Sequence, residues 1–165
     1  MTSILATSCL VINAQSHVHG QNEIGISFGP NYSTQHKEWR AGAHMHYFRG
    51  LTPHSRWKLG GGLEYIFGGG KHYNVSLGAS YSPFRHFHVT LMPGVNLINE
   101  NDHDHGEIVM DDHESDDLKV GFALHGEVVY DLVVIGKFHL GPTIDFSWSQ
   151  NHSHFMAGIH TAYSF

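Results

Sequence analysis

From Glu23 onward the chain alternates apolar and polar residues with period two, as strands do when successive side chains point to opposite faces. The clearest instance sets Tyr73, Val75, Leu77, Ala79 and Tyr81 on one face against His72, Asn74, Ser76, Gly78 and Ser80 on the other. Seven more segments repeat it. Their apolar faces are Ile24/Ile26/Phe28, Ala41/Ala43/Met45/Tyr47, Trp57/Leu59/Gly61/Leu63/Tyr65/Phe67, Phe87/Val89/Leu91/Pro93/Val95/Leu97, Val120/Phe122/Leu124/Gly126/Val128/Tyr130, Phe138/Leu140/Pro142/Ile144/Phe146/Trp148 and Phe155/Ala157/Ile159/Thr161/Tyr163/Phe165. Most have the roughly 9–11 residues a tilted strand needs to cross a bilayer, and eight is an even count, as in single-chain bacterial barrels. The pattern predicts an all-β fold: an eight-stranded antiparallel up-and-down transmembrane β-barrel.

A soluble barrel also alternates, so the apolar face must be assigned to an environment. Aromatics bracket aliphatics, with Tyr73 and Tyr81 around Val75-Leu77-Ala79 and Trp57 and Phe67 around Leu59 and Leu63; two interfacial girdles around a hydrocarbon band produce this arrangement. Eight rows of Trp, Phe and Tyr would overfill a lumen of eight strands, whereas a Gly/Ser/His/Asn face fits it. The polar face is also too poor in charge for a water-facing surface. The apolar face is therefore expected outside, against lipid.

Connection lengths agree, because short turns and long loops segregate to opposite ends of such barrels. With the N-terminus periplasmic, the connections Arg49–Arg56, Ser82–His86 and Asp131–Lys137 fall inside, and the longest, Asn99–Asp117, falls outside. Gly68-Gly69-Gly70-Lys71 reads as an external hairpin, not a phosphate loop, since no helix follows it. Pro93 and Pro142 lie mid-strand, where a missing N–H predicts a bulge or a locally broken ladder.

Residues 1–16 read differently: Ile4-Leu5-Ala6 and Cys9-Leu10-Val11-Ile12 form a short apolar block ahead of Asn13-Ala14-Gln15-Ser16, as in a secretory leader. A basic n-region is missing, the first Lys or Arg being Lys37, which suggests a truncated start. The expected organisation is a signal peptide over 1–16 and one barrel domain over 17–165. Cys9 is the single cysteine and lies in the leader, leaving the mature chain without a disulfide. Nine of the fifteen acidic residues fall between Glu100 and Asp117, so one loop is strongly acidic and the body slightly basic. No basic, aromatic-interleaved patch points to nucleic acid.

The closing strand, with Phe165 last and Tyr163, Thr161, Ile159 and Ala157 alternating behind it, is the most specific feature of the chain. Over Glu23 to Phe165 the sequence resembles the small eight-stranded outer-membrane barrels, the group containing the OmpA transmembrane domain and OmpX-like proteins. The resemblance implies an outer-membrane location with both termini periplasmic, contact with membrane lipid and lipopolysaccharide, and recognition by the barrel-assembly machinery. It implies a biogenesis route, not a molecular function.

Seventeen histidines give the chemistry its candidates. One population lies in the acidic loop: Asp102, His103, Asp104 and His105, then Asp111, Asp112, His113 and Glu114, with His152 and His154 from the last external loop. Imidazole beside carboxylate suits Zn, Cu(II) or Ni, bound weakly because the spacing lacks the fixed geometry of a closed site. The bland alternative is a solvated loop bridged by Ca²⁺ or Mg²⁺ to lipopolysaccharide phosphates. A second population faces the lumen: His44, His46, His88, His125, His139 and His160, with Arg40, Lys58, Glu64, Glu127 and Asp145. Buried ionisable groups pair and hydrogen-bond by default; the sharper alternative gathers His46, His88 and His139 at the periplasmic rim as a metal site or proton-responsive gate.

The chain is not expected to be an enzyme or to require a cofactor. A lipid A-modifying set could draw on Ser149, His152 and Ser153 with Glu64 or Asp145, but the residue two after His152 is His154 instead of the serine of the deacylase pattern. The functional expectation is divalent-metal capture or tolerance through the acidic loop. The alternatives are an accessory subunit of a larger outer-membrane transport or secretion complex, and an adhesion or envelope-integrity barrel.

Overall fold

The computed structural model describes residues 20–68, 71–99, 118–150 and 152–165. The expected leader over 1–16 and the acidic segment 100–117 lie outside them. Nine strands and no helix form among the described residues: β1 (Asn22–Ser33), β2 (Glu38–Gly50), β3 (Trp57–Phe67), β4 (Lys71–Phe84), β5 (Phe87–Asn99), β6 (Leu118–Tyr130), β7 (Val133–Ile135), β8 (Phe138–Ser149) and β9 (Ser153–Ser164). Every pairing is antiparallel, each long strand against its chain neighbour, and β9 returns to β1. The β6–β8 pairing closes the cylinder. Eight long strands therefore make the barrel, as the alternation predicts. The three-residue β7, inside the connection read as Asp131–Lys137, is a ribbon on β8 alone.

Burial fixes which face is which. Ile26, Leu59, Leu77 and Ile144 are exposed on the outside, while Ser27, His44, Glu127 and Asp145 are buried within. The aromatic brackets become cross-strand pairs at both ends. Trp57–Tyr81 (4.5 Å) and Phe138–Tyr163 (4.8 Å) stand at the end bearing the termini, and Tyr65–Tyr73 (5.0 Å) and Phe146–Phe155 (4.7 Å) at the other. The lumen is less uniformly polar than the alternation suggests, because Phe48, Ile66, Met92 and Met156 also point inward.

Both mid-strand prolines sit at breaks in the ladder. Between β4 and β5 the partners run to Ser76↔Gly94 and resume at Ala79↔Leu91, skipping Pro93. On β8, pairing with β6 ends at Thr143 and pairing with β7 begins at Leu140, so Pro142 lies where the strand changes partner. Pro30 marks a third break, between Phe28↔Ile159 and Asn31↔Met156. There the backbones press together: a Cβ on Gly158 would lie 2.3 Å from the Phe28 carbonyl oxygen, which only glycine avoids.

Candidate functional site

The lumen carries its ionisable groups in layers set by strand register. At the end bearing the termini, Asp131 on the β6–β7 connection accepts hydrogen bonds from His88 Nε2 (3.0 Å) and His139 Nδ1 (2.9 Å). Ser82 Oγ meets His88 Nδ1 at 2.8 Å, and Ser164 Oγ lies 3.3 Å from His139 Nε2. Ser164 also donates to Glu23 Oε2 (3.2 Å), which receives Lys58 Nζ at 2.6 Å. Burial pushes the Asp131 carboxyl up, but the hydrogen bonds from His139 and His88 outweigh it and hold the group well below the usual carboxylate range.

Pairing and hydrogen bonding, the default for the lumen groups, hold at this end, and of the rim trio offered as the sharper alternative two members meet. His88 and His139 meet across Asp131, but His46 stands one layer deeper, with Phe48 on the same face of β2 between it and the terminal end. Its ring packs 4.9 Å from Phe48 and stacks on His160 at 5.2 Å. The register partners of His46 are Gly25 and Gly62. A Cβ on Gly25 would fall 2.4 Å from His46 Nε2, and one on Gly62 would fall 2.5 Å from His44 Nε2, so the glycines make the room that the imidazoles fill.

In this middle layer the groups converge and satisfy one another only in part, Ser27 Oγ also meeting His160 Nδ1 at 3.1 Å. Glu127 Oε1 accepts from Ser27 Oγ (2.7 Å), while His44 Nδ1 and His46 Nδ1 stand 3.7 and 3.4 Å from Oε2. The His44 and His125 rings are 4.3 Å apart, and Asp145 accepts from Thr143 Oγ1 at 3.3 Å. Both ring nitrogens of His44, His46 and His125, with Glu127 Oε2 and Asp145 Oδ2, are buried and have no hydrogen-bond partner. Two groups of potential ligand atoms, each within 4.8 Å of one another, result: His44/His125/Glu127/Asp145 and His46/Glu127/His160.

Toward the opposite end, Glu64 accepts from His154 Nε2 (2.7 Å) and Asn74 Nδ2 (3.3 Å), with His125 Nδ1 at 3.6 Å on its inner side. Above it a cavity of about 30 Å³, lined by His36, Arg40, His72, His152 and His154 among others, opens at the mouth. His152 stacks on His36 at 5.2 Å and meets the His72 ring edge-on at 5.0 Å. His154 therefore faces the lumen from the start of β9 and does not belong to a loop, as the outward position of Phe155 requires by alternation. His36 and His72 join the mouth as well; His72 is legible on the polar face of β4, whereas His36 lies in the turn between β1 and β2, to which alternation assigns no face. Asp102, His103, Asp104, His105, Asp111, Asp112, His113 and Glu114 lie outside the described residues.

No family model matches the sequence, and no curated protein matches it. Solved structures do. The attachment invasion locus protein Ail of Yersinia pestis superposes with a TM-score of 0.60 at 12% identity, over 89% of this chain and 99% of that one. The chain has the fold of the small eight-stranded outer-membrane barrels. The N-terminal barrel domain of Pseudomonas aeruginosa OprF (TM-score 0.51, 12% identity, 89% and 99% coverage) and a de novo designed transmembrane barrel (0.54, 13%, 88% and 97%) share it. At such identities the likeness reaches the backbone and not the lumen chemistry, which has to be read from this chain's own residues.

Proposed function

We propose that this chain is a non-catalytic outer-membrane barrel that captures divalent transition-metal ions at its external mouth. The apolar, aromatic-bracketed exterior suits a bilayer, and the terminal end is read as periplasmic. In this reading the Phe165-terminated strand is presented to the assembly machinery, and the mouth faces lipopolysaccharide. One observation carries the metal reading. Imidazoles from three separate segments, His36, His72 and His152, converge at the mouth, the same end from which β5 leaves and β6 returns on either side of the acidic, histidine-rich segment. Neutral imidazole with carboxylate is the donor set of Zn, Cu(II) and Ni, and the acidic segment would raise the local concentration of cations. Ail has been seen in complex with the heparin analogue sucrose octasulfate; the acidic charge of this chain's mouth segment disfavours a polyanion there.

Titration of the refolded, detergent-held barrel with Zn²⁺ tests the proposal. Binding tighter than about millimolar, weakened at least tenfold when His36, His72 and His152 or His103, His105 and His113 become Ala, is the expected result. Weaker binding, or binding unchanged in both variants, would end it.

A further inference from the structure

The middle of the lumen poses a problem that hydrogen bonding within the barrel leaves unsolved. Glu64, Glu127 and Asp145 bring three carboxylates into adjoining buried layers. The lumen's other cations are engaged at the two ends, Lys58 with Glu23 and Arg40 with Glu38 and the Gly68 carbonyl. Burying charge without compensation is costly, and His44, His46 and His125 add ring nitrogens that find no partner. Unsatisfied buried polar atoms are rare in folded proteins and call for an explanation, a bound ion being one.

We infer that the barrel holds a resident divalent transition-metal ion in mid-lumen, ligated by His44, His125, Glu127 and Asp145. The four come from β2, β6 and β8 and are each at most 2% exposed. Two imidazole nitrogens and two carboxylate oxygens complete a four-coordinate, closed N₂O₂ set of the kind Zn²⁺ accepts. The donor atoms lie within 4.8 Å of one another; tetrahedral bonds of about 2.1 Å want them about 3.4 Å apart, so the ion would draw the four side chains together. Two positive charges offset Glu127 and Asp145, and the ion uses Glu127 Oε2 and Asp145 Oδ2, the oxygens left unpartnered. The surroundings match a metal's outer shell: Ser27 and Thr143 hold the remaining oxygens of Glu127 and Asp145, and His46 and His160 flank Glu127 at 3.4 and 3.5 Å.

A way in exists as well. From the mouth cavity, His154, Glu64 and His125 form a descending series of donors, His154 to Glu64 at 2.7 Å and Glu64 to His125 at 3.6 Å, ending against His44. The buried centre is distinct from the exposed capture site proposed above and can be tested apart from it.

The test uses the full chain, stripped with a chelator, refolded in detergent, loaded with Co²⁺ and passed through a desalting column. About one Co²⁺ per barrel should survive the column, with the intense visible absorption of a tetrahedral ion. His44→Ala/His125→Ala should lose it at least tenfold, while His36→Ala/His72→Ala/His152→Ala should keep it. Failure of the mouth site alone would leave this result standing. No retained Co²⁺, or equal retention by the His44/His125 variant, would overturn the centre. Should that variant not refold, X-ray absorption on the loaded wild type decides: two imidazole nitrogens in the first shell support the centre, and an all-oxygen shell removes it.

Discussion

At the terminal end Asp131 receives two imidazole N–H groups at 2.9 and 3.0 Å, whereas Glu127, deeper in the same lumen, stands 3.4–3.7 Å from three imidazoles and its Oε2 has no hydrogen-bond partner. The residue types are the same and the burial is similar, yet one layer is closed on itself and the other is not. The closed layer runs from Ser82 through His88, Asp131 and His139 to Ser164, Glu23 and Lys58. Such a network is a clasp: it spans the strands and the β6–β7 connection where the barrel begins and ends. The open layer keeps unpartnered ring nitrogens and carboxylate oxygens within 4.8 Å of one another. Histidine abundance therefore carries no function by itself; the state of its hydrogen bonds separates scaffold from site.

The largest effect should come from opening the closed layer. Asp131→Ala leaves His88 and His139 buried without their shared acceptor and should cost about 3–5 kcal/mol, read as a drop in the urea midpoint of the barrel in lipid or detergent. The acid limb carries its own signature. A carboxyl held low in the folded state stabilises above its unfolded pKa of about 3.9 and loses that contribution as pH falls further. Below about pH 4 the wild type should weaken, and Asp131→Asn should show a shallower acid limb. An unchanged limb would show that the clasp is ornamental. Next in size, Phe48→Ala removes the ring lying between the two layers and should cost on the order of 3 kcal/mol, at the lower end for Phe→Ala because water can refill the space. It should also speed metal loss from the middle layer, measured as Co²⁺ release to a chelator; release at the wild-type rate would show that Phe48 seals nothing.

How much of this was legible differs between wall and interior. Strict alternation assigned Leu77 outward and Ser76 inward, connection lengths sorted the two ends, and Pro93 and Pro142 marked ladder breaks, since each depends on local geometry that period two encodes. Pro30 escapes the alternation because the apolar face of β1 reads as ending at Phe28, whereas its ladder with β2 continues to Ser33. The interior depends on shear, the stagger between strands, which sequence spacing does not contain. Spacing alone accordingly groups His46 with His88 and His139, whereas register puts it beside His160 and Glu127. The inward turns of Phe48, Met92 and Met156 follow from parity alone, but an expectation of a purely polar lumen hides them. His154 is the instructive case: its neighbour Phe155 faces out, so His154 must face in, yet its closeness in sequence to His152 suggested a loop.

Metal addition sharpens the contrast from the open side. Zn²⁺ at a hundredfold its dissociation constant should stabilise wild type by about 2.7 kcal/mol. The Asp131→Asn barrel should gain the same increment, since the clasp donates nothing to the ion. Equal stabilisation of a His44→Leu/His125→Leu barrel would place the bound ion elsewhere.

The smallest effect discriminates most. Without metal, His44→Leu exchanges an imidazole with two unpartnered nitrogens for an apolar group of similar size, and removing an unsatisfied group can be nearly neutral or stabilising. The change should stay within about 1 kcal/mol of wild type, against the several lost at Asp131, although His44 is at least as buried. Glu127 would still have Ser27 and Thr143 as donors, so its carboxylate is not abandoned. If His44→Leu proved as damaging in the metal-free barrel as Asp131→Ala, the middle layer would be a second clasp, held by contacts at 3.4–3.7 Å, and the imidazoles would be scaffold at both levels. A near-neutral His44→Leu with a lost response to Zn²⁺ would mean that the barrel tolerates unpaired imidazoles at this level because an ion pairs them.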